Sequence, residues 1–176
     1  MLLDFRGYKL SKLQEDMIRS AASHALDVLV SKRMKNTLEI TITIEKDLLH
    51  DRNVWGDMDV DDDDRSPKLF EIRLNYSGVR SFKQLIRTLG HELVHVSQFA
   101  TRRLRNLSGP YRVGFLTEHY NTRETEYYSR PWEVEAHAAE EPIYQHILEK
   151  NPQIAKYIRD KKCNGWAIDT ICSSDI

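Results

Sequence analysis

The chain has 176 residues, 40% of them hydrophobic and 30% charged, with a formal net charge of −1. That length suits one domain, residues 1 to 176, and is short for two. The near-neutral balance excludes general electrostatic capture by nucleic acid or by an anionic membrane surface. No run approaches the roughly 18 apolar residues of a membrane span, and Met1 to Arg6 has no signal-peptide core, so the expected location is the cytoplasm. Oligomeric state leaves no mark on the sequence.

Ser11 followed by Gln14 is a capping-box pattern, and Leu13, Met17, Ala21, Ala25 and Leu29 recur at helical spacing, which predicts a first helix over about residues 11 to 34. From Leu38 the period changes to two. Ile40, Ile42 and Ile44 alternate with Thr41, Thr43 and Glu45, and Phe70, Ile72 and Leu74 alternate with Glu71, Arg73 and Asn75, giving two strands with one buried face each. Val54 and Trp55, between them, suggest a short third strand. The aspartate run from Asp57 to Asp64 starts like a calcium loop, but Asp62 stands where the turn glycine belongs and Lys68 where the bidentate glutamate belongs, so a solvated loop is expected.

Ser81 and Gln84 repeat the capping pattern ahead of a long helix with apolar positions Phe82, Leu85, Leu89, Leu93, Val96 and Ala100. This helix carries His91-Glu92-Leu93-Val94-His95. Residues four apart sit one above the other on a helix, so His91 and His95 can offer two imidazoles to one ion, with zinc the expected metal. Glu92, about 100° round the helix, is placed to act as general base on a water at that metal. With seven histidines in the chain, HExxH would arise by chance roughly 0.02 times, so coincidence is a poor explanation. Gly90 in mid-helix costs about 1 kcal/mol relative to alanine, and two readings stand level: close approach of another backbone next to the metal face, or a glycine that the helix tolerates.

A long polar stretch with scattered tyrosines follows, through Arg130. Pro131 then marks a helix start, and a last helix is predicted after Asn151 with Pro152 in its first turn. Cys163 and Cys172 lack the paired spacing of a zinc site and are expected to be free thiols.

A catalytic zinc site has three protein ligands and one open position, so the motif needs a partner from downstream. Trp132, Ala136, Ala139 and Ile143 suggest an inward face that includes Glu135, and a carboxylate there would be costly without a cation to meet it. Glu135 is therefore the first candidate for third ligand, with Glu133 next and His137 or His119 behind. An ordinary ion pair between Glu135 and an arginine is the alternative.

His91-Glu92-Leu93-Val94-His95, followed about forty residues later by Glu135-Ala136 on a helix, resembles the zincin metallopeptidases of the gluzincin kind. The order of helix, strands and motif over residues 10 to 145 is also similar to SprT-like and ImmA-like proteins and to the compact minigluzincins of bacteria and phages. The resemblance implies an α+β, zincin-like fold: an N-terminal helix, a small mainly antiparallel sheet, the active-site helix and a C-terminal ligand helix. It also implies a peptide or protein substrate, Zn²⁺ on His91, His95 and Glu135, and hydrolysis with Glu92 as base. Phe70, Ile72 and Leu74 would then belong to the sheet edge that holds substrate. Tyr120 and His119 are candidate donors to the oxyanion, with Tyr127 and Tyr128 beside them.

Two other functions stay open. Arg102, Arg103, Arg105 and Arg112 would suit a nucleic-acid-associated protease or regulator, and a silent zincin-fold interaction protein would keep the metal without turnover.

Overall fold

The computed structural model describes residues 1–60, 67–76 and 82–160. The expected α+β class holds, with helices packed on seven strands in two sheets among the described residues. The Asp61 to Asp64 part of the acidic run, Ser81, Cys163 and Cys172 lie outside those residues.

Strand β1 (Leu2–Gly7), which periodicity did not show, precedes helix α1 (Lys12–Leu29). The Ser11 hydroxyl accepts from the Gln14 amide while the Gln14 side chain accepts from the Ser11 amide, so the predicted capping box forms. The first helix is shorter than expected because Ser31 caps a separate turn, α2 (Lys32–Lys35). Next come β2 (Glu39–Glu45), α3 (Leu48–Arg52), β3 (Gly56–Val60) and β4 (Leu69–Asn75). The alternation expected for β2 and β4 is observed, with Ile40, Ile42, Ile44, Phe70, Ile72 and Leu74 all buried.

The main sheet has the order β1-β2-β4-β3. Both β1 with β2 and β2 with β4 run parallel, and only β3 runs antiparallel to β4. This corrects the expectation of a mainly antiparallel sheet: α1 crosses back between β1 and β2, and a helical crossover returns the chain parallel. It also removes Phe70, Ile72 and Leu74 from the substrate edge. Strand β4 is interior, those three side chains fill the core, and β3 is the edge.

Helix α4 (Phe82–Ala100) carries the motif and is buried on almost every side, its predicted apolar positions packing with α1 and the sheet. Then comes a second sheet, β5 (Leu104–Asn106), β6 (Arg112–Phe115) and β7 (Glu118–Asn121), antiparallel throughout, within the long polar stretch that precedes Pro131. A 3-10 turn at Tyr127–Ser129 leads into α5 (Pro131–Lys150), which packs along α4. A β-carbon at Gly90 would lie 3.1 Å from the Ile143 side chain. The neighbour at Gly90 is thus a side chain of α5 and not another backbone. The chain is helical again over residues 152–160, burying Ile154. No helix among the described residues is long and apolar enough to cross a membrane.

Candidate metal centre

On α4 the one-turn spacing sets the two imidazoles against each other, with Nε2 of His91 and Nε2 of His95 3.2 Å apart. Helix α5 brings Glu133 to the same point. Its Oε2 lies 3.6 Å from His91 Nε2 and 3.4 Å from His95 Nε2. All three residues are buried, and among the described residues Oε2 of Glu133 has no hydrogen-bond partner.

An unpaired carboxylate oxygen in a buried position is costly unless a cation meets it. The spacing fits one. Zinc bonds of about 2.0–2.2 Å in a tetrahedral arrangement place ligand atoms roughly 3.3–3.5 Å apart, which matches this trio. His137, one turn beyond Glu133, also stands near: its ring centre is 4.7 Å from that of His91, and ligand-type atoms of His91, Glu133 and His137 lie within 4.8 Å of one another. The trio with His95 is the tighter fit, and His137 is the more exposed member at the rim.

Glu135, the first candidate from sequence, is not in the site. Its carboxylate takes two bonds from Arg103 Nη1, at 2.6 and 2.8 Å, and its side chain is 36% exposed. The reason lies in the helix phase. Tyr144 and Ile147 are buried along with Ala136 and Ile143, and at about 100° per residue that stripe runs through Glu133 and leaves Glu135 about 200° round from it. Ala139, only partly buried, had pulled the predicted face the wrong way.

Tyr120 and His119 are also displaced from the centre. Tyr120 packs edge-on against Trp132 with ring centres 5.6 Å apart, and His119 sits exposed on β7 opposite Gly114. The groups that do reach the site are Tyr127 and Tyr128, which line a cleft of about 440 Å³ with Trp55, Gly56, His91 and Glu92. Gly56 begins the edge strand. A β-carbon there would lie 2.5 Å from Thr88 Cγ2, so glycine lets β3 press onto α4 one turn before the motif.

The electrostatics follow from burial and from the two imidazoles. Burial pushes the Glu92 carboxyl up to about 8, with the charge of His95 opposing and that of Glu133 adding. Burial acts in the same sense on Glu133, but contacts with His91 and His95, and then Tyr127, outweigh it and hold that carboxyl well below the usual range. For His95 burial works to lower the imidazole, and Glu133 more than reverses it, so the net direction is up. Tyr127 is raised by burial and by the neighbouring charge of Glu133.

Two polar residues complete the surroundings. Gln98 is fully buried between His95 and α5, accepting from His95 Nδ1 at 2.9 Å and donating to the Trp132 carbonyl at 3.0 Å. Arg87 donates to Glu140, whose other oxygen lies 3.8 Å from His137 Nδ1. Sequence pattern did not single out Gln98, although a polar residue three positions after His95 shares its helix face. Of the arginines weighed for nucleic acid, Arg103 is committed to Glu135 and Arg105 donates to the Leu116 carbonyl.

In comparisons with known proteins, the chain matches no family model, no curated protein and no solved structure.

Proposed function

We propose that the protein is a zinc-dependent peptidase in which His91, His95 and Glu133 hold the metal and Glu92 is the general base. One observation carries this reading: two imidazole nitrogens and a carboxylate oxygen that has no hydrogen bond among the described residues converge at 3.2–3.6 Å in a buried position beside an open cleft. A zinc ion held there would supply Lewis acidity, polarising a carbonyl and making water acidic near neutral pH.

The chain's own residues divide the remaining work. Glu92 takes the proton of the attacking water on its carboxylate and returns it to the leaving amine nitrogen. Ionised Glu92 is needed for the first transfer, and the positive charge of the site is what opposes its burial. Tyr128 and His137 stand at the rim as donors toward the developing oxyanion. The edge strand β3 begins at the cleft with Gly56, and an extended peptide can lie along it as an added strand.

The test uses zinc-loaded full-length protein and an unstructured protein substrate such as casein. The wild type is expected to cleave it, and Glu92→Gln to bind zinc equally while losing about 10²- to 10⁴-fold in rate. Equal cleavage by the variant would remove Glu92 from its role. A fully zinc-loaded wild type that cuts nothing would favour the silent scaffold.

A further inference from the structure

We infer that Gln98 is the positioning residue that sets two of the three metal ligands at once, fixing which nitrogen His95 presents and where α5 delivers Glu133. The inference rests on the metal-site reading above. It concerns a side chain that touches neither substrate nor metal position.

The orientation of the Gln98 amide follows from its partners. The Trp132 carbonyl only accepts hydrogen bonds, so the Gln98 atom 3.0 Å from it must be Nε2. The other end of the amide, Oε1, then faces His95 Nδ1 at 2.9 Å. An oxygen only accepts, so Nδ1 of His95 must carry hydrogen. Nε2 of His95 is thereby the nitrogen free to donate a lone pair, and it is the nitrogen that faces His91 Nε2 and Glu133 Oε2. A reversed amide would set N–H against a hydrogen-bearing or ligating imidazole nitrogen at one end and oxygen against oxygen at the other.

The second half concerns Glu133. Trp132 is its immediate neighbour at the start of α5, and its carbonyl has a second lone pair with which to accept the amide while serving the helix. Its side chain is clamped from the far side by Phe115 and Tyr120, at ring-centre distances of 6.1 and 5.6 Å. The backbone just before Glu133 is therefore held between the small sheet and Gln98. Gln98 is fully buried, and no route through solvent replaces either bond. Outer-shell partners of this sort orient ligands and support metal affinity.

Three measurements on the full chain decide it. In the zinc-loaded wild type, long-range ¹H–¹⁵N spectra of the histidines should show His95 protonated at Nδ1. Gln98→Met, which keeps the volume and removes both bonds, should weaken zinc binding by about 10- to 100-fold. Gln98→Glu can still accept from Nδ1 but sets a carboxylate against the Trp132 carbonyl. It should keep the His95 tautomer and still bind zinc more weakly than wild type.

A folded Gln98→Met with wild-type zinc affinity would overturn the inference, as would His95 protonated at Nε2 in the wild type. Full affinity in Gln98→Glu would limit Gln98 to the tautomer and overturn the claim on Glu133. If Gln98→Met fails to fold, the wild-type spectrum and Gln98→Glu still decide. A wild type that takes up no zinc would instead overturn the metal site itself.

Discussion

Two carboxylates two residues apart on α5 meet different fates. Glu135 lies on the flank facing the small sheet, partly exposed, and both of its oxygens are satisfied by Arg103. Glu133 is 6% exposed, faces two imidazoles, and among the described residues keeps one oxygen without a hydrogen bond. Each is an acidic group that the fold brings inward, and each needs positive charge. For Glu135 the chain supplies a guanidinium. For Glu133 it supplies two imidazoles, with Nε2 atoms 3.6 and 3.4 Å from Oε2. On the proposed reading, the contrast separates a structural ion pair, complete within the protein, from a place that a metal ion would complete.

The sharpest way to break this contrast is to neutralise each acid in turn. Glu133→Gln should weaken zinc binding by more than about 100-fold, beyond what outer-shell changes cost. Glu135→Gln should leave affinity within about threefold, as measured by competition with a chelator. Equal losses would mean that both carboxylates serve the ion.

A middle-sized effect concerns the metal-free state. There Glu92 titrates near 8 rather than at 4.5, so between those values the folded chain holds a proton that the unfolded chain has released. Stability is then greatest at the acid end of the window and falls as pH rises through it. His95, also raised, adds loss in the same direction above its ordinary 6.5. The melting temperature of the metal-free wild type should fall by several degrees from pH 5 to pH 8. Glu92→Gln, which keeps only the His95 part, should fall less, and scanning calorimetry reads the difference. An equal slope would mean that Glu92 is not protonated in the folded state.

The smallest effect belongs to the ion pair. The Arg103 and Glu135 side chains are 35% and 36% exposed, so solvent screens them, and Glu135→Gln should cost within about 1 kcal/mol in urea unfolding.

Much of this was legible before any coordinates. The capping box at Ser11, the alternation in β2 and β4, the apolar stripe of α4 and the pairing of His91 with His95 all follow from local periodicity, and the structure keeps them. What periodicity could not supply is tertiary. Strand β1 is short and only Leu3 in it is buried, so it carries no alternation long enough to read. Without β1 the parallel order of the sheet was out of reach, and the interior place of β4 comes from β3, whose Asp57 to Val60 belong to the stretch expected as a solvated loop. Glu133 and Glu135 differ only in helix phase, and on α5 that phase is set by Tyr144 and Ile147, which lie well beyond both glutamates along the helix. Gln98 acts through a backbone carbonyl, a partner that no side-chain pattern reveals.

The central claim is that His91, His95 and Glu133 hold one metal ion with a corner left open to the cleft. A crystal structure of the zinc-loaded protein tests it most directly. The expected result is a single anomalous peak about 2.0–2.2 Å from Nε2 of His91, Nε2 of His95 and the Glu133 carboxylate, with no fourth protein ligand. Zinc held by His91, Glu133 and His137 with His95 apart, or four protein ligands closing the ion off, would contradict it.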